Sequence, residues 1–122
     1  MSLTLDLDAA TEVATLTLDG KVTKEDFEEV AGPLERFIEA NEKVRILEVI
    51  KSFEGFEPSV LVRGIGFDLR NMSKVSHVAV VSDIGWISPI TQAAAAVTPI
   101  RMRSYGLSAL AEAREWLETD AL

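Results

Sequence analysis

Residues 44–50 read VRILEVI, a nearly continuous apolar run that is rich in β-branched side chains. Runs of this composition are typical of strands in the middle of a sheet that helices cover, so this one predicts a central strand of an α/β sheet. Residues 51–57 predict a loop, because Gly55 interrupts the run and Pro58 suits the first turn of a following helix. Since ligands in open α/β sheets lie at the carboxyl ends of strands, we expect a functional edge at this loop.

Length and composition limit the class of protein. The 122 residues fit one domain, 1–122, and the net charge of −8 argues against a general nucleic-acid binder. The chain has no cysteine and a single histidine, His77, so we expect neither a metal site nor a cofactor. No basic, apolar signal segment opens the chain, and its longest uncharged run is too polar and broken to span a membrane. A cytoplasmic location is therefore the default expectation.

The charge is unevenly distributed. Residues 1–50 carry 12 acidic and 5 basic side chains, whereas residues 51–105 carry 4 acidic and 6 basic ones, Arg101 and Arg103 among them. Solvated faces of different helices explain such runs in most proteins. The alternative is that the basic part meets an anionic head group or partner.

The periodicity predicts the remaining elements. Residues 3–7 and 13–18 alternate and predict an antiparallel hairpin at a sheet edge, after which Asp19 and Gly20 predict a turn. Thr23 and Asp26 predict a capping box for a helix over 24–40, which Pro33 should kink or break. Later elements are a helix over 58–72, a strand over 77–83, a helix capped by Ser88 and ending at residue 97, a strand over 100–105 and a helix from Ser108. The order ββαβαβαβα predicts a mixed sheet of about five strands with about four helices.

Several of these segments together resemble a known family. The residues that carry the resemblance are DGKVT at 19–23, FEGF at 53–56, LRNM at 69–72 before the strand that starts at His77, then Trp86 and Pro99. In this order and spacing they resemble the SpoIIAA-like proteins, whose fold is shared with STAS domains and related to CRAL-TRIO lipid carriers. The resemblance covers nearly the whole chain and implies a SpoIIAA/STAS-like α/β fold.

The resemblance implies two functions. Antagonist STAS domains carry an Asp-Ser-Ser-Gly motif whose serine is phosphorylated, but here Lys51 and Phe53 flank Ser52, so Ser52 is a degenerate phosphosite. The subgroup with a Phe-x-Gly-Phe loop is associated instead with apolar ligands and with membranes. This analogy implies a binding protein with a lipid-like ligand, or a protein peripheral to the inner face of the membrane.

We therefore expect a non-enzymatic binding protein, and a STAS-type interaction module that depends on Ser52 is the alternative. An enzyme is a third reading, which the sequence does not favour because it shows no catalytic arrangement. The exposed edge of the hairpin predicts a homodimer.

Residues 85–97 contain Gly85 and Pro89, and we expect this segment to swing toward a lipid surface. The candidate ligand-binding residues are Phe53, Phe56, Trp86, Ile87 and Ile90, with Arg101 and Arg103 as anion or membrane contacts; each of the apolar ones has an ordinary core role as its alternative.

Overall fold

The computed structural model describes residues 2–56 and 72–120. Within those ranges the chain forms five strands and three α-helices, and two short 3-10 turns occupy Met72–Lys74 and Leu107–Ala109. The predicted helix over 58–72 lies almost entirely outside the described residues. The strands are β1 (Leu3–Asp8), β2 (Val13–Val22), β3 (Val44–Phe56), β4 (Val75–Ser82) and β5 (Arg101–Tyr105), and the helices are α1 (Lys24–Ala40), α2 (Ile87–Val97) and α3 (Leu110–Thr119).

The five strands form one mixed sheet in the order β1-β2-β3-β4-β5. Strand β1 runs antiparallel to β2, and every later neighbour is parallel. This confirms the edge hairpin and the mixed α/β sheet, and it places β3 in the centre as its apolar run predicts. Because β2 to β5 are parallel, their carboxyl ends meet at one edge of the sheet.

Helix α1 begins and ends where the sequence predicts. The Thr23 hydroxyl accepts the backbone N–H of Asp26 at 3.2 Å, and the Asp26 carboxylate accepts the N–H of Thr23 at 3.3 Å, which completes the capping box. Of the kink or break expected near residues 30–32, the break is wrong, because the helix continues through Pro33 to Ala40, and the kink stays a prediction. Buried residues on one face, Val30 and Leu34 among them, hold the helix against the sheet.

The largest correction concerns residues 51–56, which form the end of β3 and not a loop. Asp19 and Gly20 likewise belong to β2 and not to a turn, and the two extensions pair with each other as parallel strands. Gly20 and Gly55 have positive φ angles of 111° and 108°, and the register shifts in this part of the ladder. Each glycine thus serves an irregular strand pairing.

The core has two layers because side chains alternate across the sheet. Val78 and Val80 of β4 face α1 and α2, whereas Ala79 and Val81 face α3. In β5, Met102 packs on the α2 side and Tyr105 on the α3 side. Helices α1 and α2 therefore share one face of the sheet, and α3 covers the other.

The start of α2 also differs from the prediction. Trp86 occupies the N-cap position, and no side chain caps the helix by a hydrogen bond. Ser88, which the sequence predicts as the cap, lies inside the first turn, and its hydroxyl forms a hydrogen bond with that of Ser104 at 2.9 Å. The hydroxyl thus ties α2 to β5 instead of ending the helix.

Candidate ligand-binding face

Helix α2 presents an uncharged, apolar surface to solvent. Residues 84–100 contain no acidic or basic side chain. Only Ile87 and Thr91 of this helix are buried, whereas Trp86, Ile90 and Val97 are 48%, 58% and 82% exposed. These three residues recur at helical spacing, so they form one apolar stripe on the outer side of α2. We call this stripe the outer face of α2.

One aromatic residue of β3 extends this face. The rings of Phe53 and Trp86 meet edge to face, with 5.7 Å between their centroids and 70° between their planes. Such contacts between aromatic rings are favourable beyond the area that they bury. The extension of β3 past Ile50 brings Phe53 to Trp86, so the irregular end of the central strand supports the start of α2.

The five predicted ligand-binding residues thus separate into three groups. Phe53, Trp86 and Ile90 lie together along the start of α2, and all three reach solvent. Ile87 is only 9% exposed and belongs to the core beneath the helix. Phe56 is the last residue of β3, and its side chain lies outside what the structure describes.

The two predicted anion contacts lie on the opposite side of the sheet. Arg101 donates to a carboxylate oxygen of Asp120, just beyond α3, with Nη1 and Oδ2 2.7 Å apart. The guanidinium carbon of Arg103 lies 5.0 Å from the centre of the Trp116 ring, as in a cation–π contact. Both side chains therefore face α3, and the structure does not bring them to the outer face of α2.

A polar network that the sequence does not predict joins α3 to the sheet. His77 is 6% exposed, and its Nε2 lies 2.9 Å from Oδ2 of Asp120, the oxygen that also accepts from Arg101. Its Nδ1 lies 2.8 Å from the hydroxyl of Ser76. The hydrogen bond from Arg101, followed by that from His77, holds the pKa of Asp120 below its ordinary value.

A second basic residue strengthens this attachment. Nη1 of Arg45 donates to the backbone carbonyl of Leu117 at 2.8 Å, in the last turn of α3. Carbonyls at a helix carboxyl end lack partners within the helix and carry partial negative charge, so cations stabilise them. Arg45, His77 and Arg101 occupy paired positions on neighbouring strands. This row of basic residues anchors the end of α3, and the contacts of His77 with Ser76 and Asp120 belong to that anchor. The imidazole of His77 also meets the ring of Trp116 edge to face, with 5.4 Å between the ring centres.

Ser52 lies in strand β3 beside an acidic residue. Its hydroxyl donates to Oδ1 of Asp19 at 2.6 Å, and the two residues are partners in the β2–β3 ladder. The serine is half-buried. A phosphate at this position would meet the carboxylate of Asp19 directly.

A groove follows the inner side of α2 along β5. Its wider part is a cavity of about 380 Å³ between Ala95 and Met102, and a second cavity of about 240 Å³ adjoins it at the carboxyl edge of the sheet. The two cavities share Ser104 and Tyr105. Of the residues that the sequence predicts as contacts, Ile87 borders the smaller cavity and Arg103 borders the wider one. The alternation of residues 100–105 is the groove's only signal in the sequence.

Two further observations concern sites of other kinds. No helix in residues 2–56 or 72–120 combines the length and the apolar character needed to cross a membrane. Across the same ranges, no group of three or more His, Asp or Glu side chains is arranged to hold a metal ion.

The fold is that of a small mixed α/β domain of the SpoIIAA type, with an antiparallel edge hairpin followed by parallel strands. The chain belongs to the SpoIIAA-like family, whose model matches residues 13–118. This confirms the resemblance that the sequence shows.

One solved structure supports the same fold. It is the crystal structure of an uncharacterised protein of the DUF3478 family with a SpoIIAA-like fold from Shewanella loihica PV-4. The TM-score is 0.77 at 18% sequence identity, and the match covers 94% of this chain and 91% of that one. A comparison with curated proteins found no match. At this identity, the likeness concerns the fold alone.

Proposed function

We propose that this protein is a non-enzymatic binding module that holds an apolar, lipid-like ligand on the outer face of α2 and Phe53. The same surface lets it associate peripherally with a membrane. The observation that carries the proposal is the exposure of Trp86, Ile90 and Val97 on a helix without charge, in a chain whose net charge is −8. Large apolar side chains that cluster at the surface mark sites for ligands, membranes or partners.

The exposed area supports weak, reversible binding. Burying an Ile or Val side chain fully contributes about 1.5–3 kcal/mol, and the exposed fractions of Ile90 and Val97 are 58% and 82%. Together with the exposed half of Trp86, the three side chains contribute on the order of 4–5 kcal/mol. Because association also costs free energy in lost freedom of the ligand, the dissociation constant is roughly 1 mM or weaker before any contribution from Phe53. Contact with a membrane is accordingly transient.

The charge distribution favours a neutral ligand or lipid surface. Helix α1 lies on the same side of the sheet as α2 and exposes acidic side chains, Glu25, Glu29 and Glu39 among them. Arg101 and Arg103 are turned toward α3 and cannot offset this repulsion at the outer face of α2. Anionic lipid should therefore weaken binding, most of all at low salt where charges are least screened.

The test follows the fluorescence of Trp86 in a Trp116→Phe background, with circular dichroism to confirm the fold. Neutral phosphatidylcholine vesicles should shift the emission to shorter wavelength, and replacing a third of the lipid with phosphatidylglycerol should reduce the shift. Ile90→Ser in the same background should weaken it. Emission that no vesicle changes would contradict the proposal, and a Trp86→Phe variant shows whether Trp116 responds instead.

The alternative, a regulatory interaction module switched at Ser52, has less support. The Ser52 hydroxyl is engaged by Asp19, and a phosphate there would be repelled by that carboxylate. Lys51 is exposed and supplies one nearby positive charge, but the hydroxyl of Ser52 is bonded to the carboxylate of Asp19. The geometry thus favours the binding module.

A further inference from the structure

The groove between α2 and β5 changes in polarity along its length. Ala95 and Met102 are the apolar residues of its wider part, whose volume of about 380 Å³ lies within the range of small-molecule sites. Thr91 and Gln92 line this part as well, but the hydroxyl of Thr91 already donates to a backbone carbonyl of α2 at 2.9 Å. Ser88 and Ser104 line the adjoining cavity of about 240 Å³. Ser104 borders both cavities, so the wider part, where Ala95 and Met102 lie, leads directly to the serine pair. A molecule that filled the groove would need an apolar chain and a polar end.

The serine pair defines the chemistry of that polar end. The two hydroxyl oxygens lie 2.9 Å apart, and either can be the donor. A hydroxyl has one proton and two lone pairs, so the bond between Ser88 and Ser104 leaves one proton and several lone pairs for a ligand. A ligand group that both donates and accepts, such as an alcohol, matches this pair. A carboxylate accepts only, and an ammonium donates only.

The charges around the groove support an uncharged head group. Residues 84–100, which include all of α2, carry no charge. Arg103 borders the groove, but its guanidinium lies over the ring of Trp116 on the α3 side of the sheet. At the serine end, the carboxylate of Asp83 lies close to Gly106, and it already accepts the N–H of Leu107 at 2.9 Å. An anionic head group would be repelled by this carboxylate, and a cationic one would compete with the backbone for it.

We propose that this groove binds a single-chain amphiphile with an uncharged, hydroxyl-bearing head, the chemical class of monoacylglycerols and long-chain alcohols. Its acyl chain lies along Ala95 and Met102, and a head-group hydroxyl joins the hydrogen bond between Ser88 and Ser104. This inference goes beyond the proposed function, because the groove is a second site on the inner side of α2 and is separate from the outer face that meets the lipid surface.

The test compares three probes with the same twelve-carbon chain, each kept below its micelle concentration: 1-monolauroylglycerol, laurate and dodecylammonium. Calorimetric titration should show that the monoacylglycerol binds tightest. Ser104→Ala and Ser88→Ala should each weaken its binding about three- to tenfold, as expected for one neutral hydrogen bond, and leave laurate unchanged. Ser73→Ala, at an exposed serine of the Met72–Lys74 turn, is the matched control. Ala95→Phe should fill the groove and weaken all three probes.

Other outcomes separate this inference from the proposed function. Tighter binding of laurate, or monoacylglycerol binding that both alanine variants leave intact, would overturn the hydroxyl-bearing head group. The proposed function would then stand if Ile90→Ser still weakened binding of neutral vesicles. Failure of all three probes to bind the folded protein would overturn the groove as a ligand site, and failure with vesicles as well would remove both proposals.

Discussion

Replacing two isoleucines of α2 with serine separates a binding surface from an ordinary core helix. Ile87 and Ile90 lie three residues apart, and they are 9% and 58% exposed. Ile and Ser have similar helix propensities, so the helix itself should tolerate both changes. The two variants therefore report mainly on what each side chain packs against.

The exposures set the expected sizes. Removing a buried Ile side chain costs about 2–5 kcal/mol, so Ile87→Ser should lower the free energy of unfolding by about 3 kcal/mol or more. Ile90 is less than half-buried, so Ile90→Ser should cost about 1 kcal/mol or less, a fall in Tm of roughly 4 °C. If a ligand covers the exposed part of Ile90, replacing this side chain with serine should weaken ligand binding by about 1–1.4 kcal/mol, or five- to tenfold.

The assay measures urea unfolding and binding of neutral vesicles for both variants and the unchanged protein. Ile90→Ser should bind vesicles about five- to tenfold more weakly with only a small loss of stability, whereas Ile87→Ser should lose much more stability. An Ile90→Ser variant destabilised as strongly as Ile87→Ser would show that Ile90 is core, and the reasoning about the outer face would fail. Unchanged vesicle binding in a stable Ile90→Ser variant would refute it equally.

Three further predictions concern other parts of the molecule. The pKa of Asp120 is lowered chiefly by the hydrogen bond from Arg101, so its contribution to stability is complete above the ordinary carboxyl pKa and is lost as the pH falls through the lowered one. Unfolding of Asp120→Asn followed from pH 6 to pH 2 should thus depend less on pH, and an unchanged dependence would contradict the contact. Intact-mass measurement of protein from its own cells should show no phosphate on Ser52, because Asp19 adjoins it; a stoichiometric adduct of about 80 Da would revive the regulatory alternative. Light scattering at micromolar concentration should return a homodimer, since β1 lies at the sheet edge with Leu7 exposed, and a monomer would remove that prediction.

Much of the fold is predictable because local signals agree with the final packing. Helix α1 combines a capping box at Thr23 with a regular apolar stripe, and both its ends are as predicted. The central position of β3 follows from its apolar run, because a strand whose two faces are both covered by helices has little need of polar residues.

The glycines mislead for a physical reason. Gly20 and Gly55 adopt positive φ, which turns and strand irregularities both use, and a single sequence does not distinguish the two. The pairing of Asp19 with Ser52 is a long-range contact between two segments that each look like a chain reversal. The sequence therefore does not predict that β3 extends to Phe56, and it does not predict the contact between Phe53 and Trp86 that this extension allows.

The candidate site depends on which helix covers which face, and local periodicity does not contain that information. The alternation of β5 shows that Arg101 and Arg103 point the same way, but only the arrangement of α2 and α3 decides that they face α3. The contact between His77 and Asp120 likewise joins residues far apart in the sequence. A helix without charged residues and with few polar ones is typical of a buried position, so the exposure of Ile90 is also not predictable from its pattern.

The central claim is that the outer face of α2 binds apolar ligands, and a nuclear magnetic resonance titration tests it most directly. The uniformly ¹⁵N-labelled protein is titrated with diheptanoylphosphatidylcholine, a short-chain neutral lipid, below its micelle concentration. Chemical-shift changes should concentrate on Phe53, Trp86, Ile90 and Val97, and they should be smaller in Ile90→Ser. Chemical-shift changes centred on α3 or β1 would contradict the claim that the outer face of α2 binds apolar ligands. The absence of any chemical-shift change up to the micelle concentration would contradict it as well.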